Sequence, residues 1–217
     1  MYNTIFIVLS NPVVGREDEY NEWYSNQHLG DLLKIPSVVG AQRFESVGNV
    51  EKPRYSYLAI YEVTDVQQTI NELKSRRGTP AMVTSTALNR DATTSFYVLP
   101  VTQHGVEREF NDQEGLILHC LNAVGDVDAQ FGKDILGLMS QQVGGSPSQF
   151  FEKTTLQSRE IIDYRYAAIV RVPDAVQCAK DTYAKLGSER PFLAQGVAIE
   201  PRFVSFFRPI TPRVTKG

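Results

Sequence analysis

Tyr55-Ser-Tyr-Leu-Ala-Ile-Tyr-Glu-Val-Thr-Asp65 returns later in the chain as Tyr164-Arg-Tyr-Ala-Ala-Ile-Val-Arg-Val-Pro-Asp174, an offset of 109 positions (55 to 164). At that offset Tyr55/Tyr164, Tyr57/Tyr166, Ala59/Ala168, Ile60/Ile169, Val63/Val172, Asp65/Asp174, Gln68/Gln177 and Pro100/Pro209 are identical pairs. Identities at one offset in separated segments mark a duplicated unit of about half the chain. Two copies of one fold facing each other enclose a cavity, so a pocket is the first place to look for function.

Outward from the repeat, each copy reads as strand, helix, strand, strand, helix, strand. Thr4 to Leu9 is an apolar, β-branched run that predicts a buried strand, broken by Asn11-Pro12 and Gly15. Arg16 to Leu33 has no internal proline and places Tyr20, Trp23, Gln27 and Leu32 near helical spacing. Val38 to Val47 is the second strand, ending in Gly48-Asn49, and Arg54 to Val63 is the third. Thr64 or Asp65 caps a helix through Lys74, and Thr93 to Leu99 is the fourth strand. The second copy repeats the order: Gly115 to Leu121, a helix about Asp128 to Gln142, Phe150 to Leu156, Asp163 to Val172, a helix from Asp174 to Leu186, and Arg202 to Phe207. The expected class is α+β, two tandem ferredoxin-like βαββαβ repeats. Repeat 1 spans 1–102, a polar linker 103–114, repeat 2 115–210, and a mobile tail 211–217. Gly144-Gly145-Ser146 is a turn.

A ferredoxin-like sheet covers one face with its helices and leaves the other bare. Alternation in the third strand puts Leu58 and Ile60 on one face and Tyr55, Tyr57, Ala59 and Tyr61 on the other. Packing the two bare faces together buries them and closes a barrel. The expectation is that the tyrosines line its inside, each burying a ring while keeping a hydroxyl for a ligand.

With 217 residues there is room for a sizeable core. A net charge of −3 and a pI near 5.7 speak against a nucleic-acid or anionic-membrane partner. The apolar N-terminal run is too short for a signal peptide or a membrane span. Cys120 and Cys178 have no metal-type spacing and read as reduced thiols of a cytoplasmic protein. No nucleotide-binding glycine motif or G-x-S-x-G elbow occurs.

Tyr20-Asn-Glu-Trp-Tyr24, Gln27-His28-Leu29, Asp31-Leu32-Leu33, Ile35-Pro36-Ser37-Val38-Val39 and Gln42-Arg43-Phe44 resemble the pattern of EthD-like members of the dimeric α/β barrel superfamily. The match covers about the first 45 residues; the rest resembles the superfamily through topology and the repeat. The second copy carries no Trp-Tyr or histidine equivalent in its first helix, so a histidine-based site is expected once per chain. The resemblance implies activities ranging over cofactor-independent monooxygenases, cyclases, isomerases, dehydratases and haem-handling enzymes.

His28, at the end of the first helix, is the expected general base, its ordinary pKa of roughly 6.5 suiting proton transfer near neutrality; a histidine satisfying helix-end carbonyls is the plainer alternative. Arg43 shares a strand face with Glu45 and would bind a carboxylate or phenolate, or else form an ion pair in water. Tyr57 is the expected catalytic hydroxyl donor, with Tyr24, Tyr55, Tyr61, His119, Tyr164 and Tyr166 as substrate contacts. His119 reads equally as a hydrogen-bonded core residue, and His104 as exposed linker. No metal site and no cofactor are expected. The leading reading is an enzyme acting on a small aromatic or phenolic molecule by acid/base lyase, isomerase or dehydratase chemistry. A cofactorless oxygenase, a haem-handling barrel or a non-catalytic ligand container are the alternatives, and pairing into a homodimer stays open.

Overall fold

The computed structural model describes residues 2–47, 53–104, 111–124, 127, 129–143, 147–157, 164–186 and 202–216. The Gly48-Asn49 turn, positions 105–110 of the linker, Asp128 at a helix start, Gly144 to Ser146 and Asp163 lie outside the described residues.

The first half runs β1 (Ile5–Pro12), α1 (Glu17–Trp23), one π-helical turn (Tyr24–His28), α2 (Leu29–Leu33), β2 (Val38–Val47), β3 (Tyr57–Val63), α3 (Val66–Arg76) and β4 (Leu88–His104). The second runs β5 (Gly115–Leu121), α4 (Ala129–Val143), β6 (Ser148–Lys153), β7 (Tyr166–Val172), α5 (Ala175–Leu186) and β8 (Phe203–Pro209), followed by β9 (Val214–Thr215). Asp65 caps α3 by accepting from the Gln68 amide at 2.9 Å. Its repeat partner Asp174 accepts from the Val176 and Gln177 amides at 2.9 and 3.0 Å, starting α5 in the same way. The Asn11-Pro12 pair does not end β1: the strand runs through it after a register shift between Ser10 and Asn11, a bulge rather than a break.

Each half has the ferredoxin-like strand order, β4-β1-β3-β2 and β8-β5-β7-β6, antiparallel throughout. The fourth strand of each half pairs with the second strand of the other, β4 with β6 and β8 with β2. The two seams close an eight-stranded antiparallel barrel within one chain.

The inside of that barrel corrects the strand-parity expectation. Its packed cluster draws on all eight strands, including Ile5, Ile7 and Leu9 of β1, Leu58 and Ile60 of β3, Leu116 and Leu118 of β5, and Ile169 of β7. Phe44, Phe96, Phe151 and Phe207 fill the space between them. Tyr57, Ala59 and Tyr61 face outward under the helices of the first half, and Tyr166 does so in the second. Eight strands leave an interior just wide enough for side chains. Aliphatic and phenyl groups fill it without stranding polar atoms, whereas the Tyr57 and Tyr61 hydroxyls find their partners under the helices.

The tail is also held, not mobile. Val214 and Thr215 pair with β2, Thr211 Oγ1 accepts from the Arg43 amide at 3.0 Å, and Arg213 forms an ion pair with Glu62 at 2.6 Å. The Lys216 ammonium donates to the Ile35 carbonyl.

Leu118→Ala should lower unfolding stability by about 2–5 kcal/mol, the cost of a core cavity. Urea unfolding reads this as a fall in midpoint at unchanged slope. A loss below about 1 kcal/mol would contradict a packed interior.

Candidate functional site

α1 opens with Glu17, Asp18 and Glu19, which suit the positive end of a helix, and turns Tyr20 and Trp23 toward the sheet. The helix then widens into the π turn Tyr24–His28. The extra residue in that turn rotates the helical residues after it, a distortion common at functional sites. Here it lays the His28 ring on Trp23, with centroids 4.4 Å apart, and against the edge of Tyr24 at 4.9 Å.

These three side chains and Leu32 roof a cavity of about 130 Å³ between the helices and the outer face of the first-half sheet. Its floor is Phe6 and Val8 of β1 with Thr93 and Ser95 of β4. Leu73, Met82 and Leu88 form apolar walls, and the exposed Arg77 and Arg90 stand at the solvent side. The volume is close to the ~150 Å³ of an apolar cavity that accommodates benzene.

His28 Nδ1 is buried and has no hydrogen-bond partner among the described residues. Burial pushes the imidazole down from 6.5 to about 4; Asp31 opposes the shift, while Arg43 and Arg77 add to it. The ring is therefore neutral at pH 7, a hydrogen-bonding group and a weaker base than its ordinary pKa implies.

Behind Tyr24 lies Arg43, only 1% exposed. Its guanidinium donates to Ser25 Oγ at 2.5 Å and Asn21 Oδ1 at 2.9 Å, and lies 4.3 Å from the Tyr24 ring centre. Among the described residues no carboxylate lies within ion-pair distance of it. Its charge is held by amide, hydroxyl and π-faces. Asn21 also donates to the Tyr57 hydroxyl at 2.8 Å, which donates to Glu17 at 2.5 Å, and the Tyr61 hydroxyl donates to that of Tyr24 at 3.3 Å.

Of the residues expected at a site, Tyr24 and His28 line the cavity, while Arg43, Tyr57 and Tyr61 form a layer behind them. Tyr55 and Tyr164 belong to the inner cluster, where Arg54 donates to the Tyr164 hydroxyl at 2.7 Å. Tyr166 stacks on Phe150 at 5.4 Å in the other half. His119 is fully buried there, and Arg202 donates to its Nε2 at 2.9 Å. The single inner surface expected to gather all five tyrosines does not exist. Sequence reading missed Trp23, Arg77, Arg90, Thr93 and Ser95. The small polar alternation Thr93, Ser95 in a helix-covered strand was the available signal.

Among the described residues, the register shows how the second half differs at the matching positions. Val8 opposes Ala59 across β1 and β3; His119 opposes Ala168, the repeat partner of Ala59. His119 therefore stands where the floor has Val8, and Arg202 is the offset partner of Thr93. Arg43 opposes Ala59 and Phe150 opposes Ala168, so a phenyl ring replaces the guanidinium. Bulk fills the floor, and apolar stacking replaces the polar layer.

Among the described residues no group of three metal-ligating side chains converges. Haem does not fit this cavity either. The cavity has room for about one ring, and the His119 Nε2 lone pair is engaged by Arg202.

No protein-family model and no curated sequence matches the chain. Solved structures do. An anthrone oxidase-like protein superposes with a TM-score of 0.64 at 8% identity, over 99% of this chain and 93% of that one. A protein named as a monooxygenase from Fusobacterium nucleatum subsp. nucleatum gives 0.54 at 12%, covering 100% and 96%. Another so named from Lactobacillus acidophilus gives 0.51 at 10%, covering 99% and 97%. The chain shares with these proteins the fold of an α/β barrel made of two ferredoxin-like halves, closed here within a single chain. Among the described residues no helix is long and apolar enough to cross a membrane.

Because folding lowers the His28 pKa, the unfolded chain takes up a proton between about pH 6.5 and 4 that the folded chain refuses. Stability contributed by neutral His28 is complete above pH 6.5 and lost as pH falls toward 4. Urea midpoints should drop more between pH 7 and 5 in the wild type than in His28→Gln. Equal drops would place the imidazole in water.

Proposed function

We propose that the chain is a cofactor-independent oxygenase of a small phenolic ring bound in the first-half cavity. The observation that carries this reading is a ring-sized, mostly apolar cavity that the neutral His28 imidazole helps to line. A phenol fills that space by contact with Phe6, Trp23, Leu73 and Met82, with its hydroxyl toward the His28 imidazole that lines the same space. Nearby guanidinium charges favour the phenolate over the phenol. A phenolate shielded from water is electron-rich enough to react with dioxygen. A ring carbon bearing hydrogen takes up O₂ and a proton as a hydroperoxide. Loss of water then removes that hydrogen and the outer oxygen and leaves a quinone. The sum is one phenol and one O₂ giving one quinone and one water.

The barrels with oxidase or monooxygenase names share this topology, and their likeness at 8–12% identity bears on fold. The EthD-like pattern of the first 45 residues accords with the same class of protein. Elimination or isomerisation with His28 as base, the chemistry expected first from the sequence, has less behind it. A histidine pushed down to about 4 is a poor acceptor for a proton from carbon.

The purified chain, without flavin, metal or nicotinamide, should consume O₂ with phenols that carry a free para hydrogen, one O₂ per quinone formed. His28→Leu should lower kcat/KM about tenfold, the scale of one lost orienting hydrogen bond. Product formed without O₂ uptake would replace oxygenation by elimination or isomerisation, and phenols bound but never consumed would make the barrel a container.

A further inference from the structure

We infer that the cavity's occupant is an aromatic monoanion whose ring carboxylate is held between Arg77 and Arg90. The inference rests on the phenolic-ring reading of the site and adds the group that selects among phenols. Arg77 follows the last residue of α3 and Arg90 lies at the start of β4, so two elements bring their cations to the rim of one cavity. No Asp or Glu lines that cavity. Neither side chain makes a hydrogen bond or ion pair with a described residue. Several other arginines meet acids, Arg16 with Glu19, Arg76 with Glu72, Arg208 with Glu45 and Arg213 with Glu62, and the buried Arg43 is held by Ser25 and Asn21. In a chain with 25 acidic against 22 basic residues, two guanidiniums left without acids at a cavity rim run against the overall balance.

A lone exposed arginine is an ordinary solvated side chain. What separates this pair is the space they border, a ring-sized cavity lined also by the His28 imidazole and by apolar side chains. A hydroxybenzoate answers both. Its hydroxyl lies toward the His28 imidazole, its ring sits between the apolar walls, and its carboxylate offers two oxygens to planar forks that favour that geometry. The protein's only tryptophan, Trp23, lines the cavity and reports occupancy by its fluorescence.

The test compares 3-hydroxybenzoate with its neutral isostere 3-hydroxybenzamide by Trp23 quenching. The acid should bind about tenfold more tightly at low salt, the scale of one charge-assisted contact. That preference should shrink as ionic strength rises, and it should vanish in Arg77→Met/Arg90→Met while the amide's affinity is unchanged. Equal affinities of the wild type for acid and amide would overturn the anionic assignment and leave the phenolic reading standing. Quenching by neither compound would remove both.

Discussion

The structure depends on what an eight-stranded closed barrel permits inside. Closure removes the sheet edges but leaves an interior that only side chains can fill, with no backbone group free to pair with a buried hydroxyl. Ile, Leu and Phe therefore turn inward, and Tyr57 and Tyr61 turn outward to where helices supply partners. Ser10 meets Tyr20 at 2.7 Å, Asn21 and Glu17 meet Tyr57, and Tyr24 meets Tyr61. The polar chemistry of the chain is thus driven into the layer between helix and sheet, and the cavity lies in that layer.

Because the cavity lies outside the barrel, the two halves do not share one chamber and can diverge. The first keeps small groups on its floor and a buried cation behind its roof; the second has His119, Arg202 and Phe150 at the matching positions. Fused halves suit this division. A barrel assembled from two identical chains would carry any cavity twice, whereas a fused barrel can make one half solid and leave the other open.

The fold was largely legible because its signals are local. Asp65 and Asp174 end matching strands and cap matching helices, and that punctuation with period-2 and period-3.6 patterning gives the element order. What the sequence did not yield was which face of Tyr57-Leu-Ala-Ile-Tyr61 points inward. Both faces are apolar enough to bury, and Leu58 and Ile60 are buried as fully as Tyr61. The choice turns on where hydroxyl partners sit, and those come from α1, some 40 positions away, as in the Glu17–Tyr57 contact. His28 was found because a histidine at a helix end is conspicuous. Arg77 and Arg90 were not, because their meeting at one rim depends on tertiary placement of α3 against β4. The tail was misread for a related reason. Nothing in Thr211 to Lys216 looks like a strand until the β2 backbone beside it is left unpaired at Gly40 and Ala41.

Burial of a cation without a counter-ion, of an imidazole nitrogen without a partner, and of a Tyr97 hydroxyl likewise unpartnered among the described residues all work against stability. They are concentrated around the helix-covered face of the first half. A closed barrel with a dense interior can tolerate such local losses because its cooperative core does not depend on them. The Arg43 guanidinium shows how the tolerance is built: two hydrogen bonds to Asn21 and Ser25 fix it, and three tyrosine rings within 5.4 Å surround it with π-faces. That arrangement also leaves its charge unneutralised beside Tyr24, so the cavity roof is backed by a positive field. Replacing it with a phenyl group, as Phe150 does in the second half, gives a tighter stack and no such field. The sheet geometry is common to both halves; the difference between scaffold and site lies in side chains at equivalent registers.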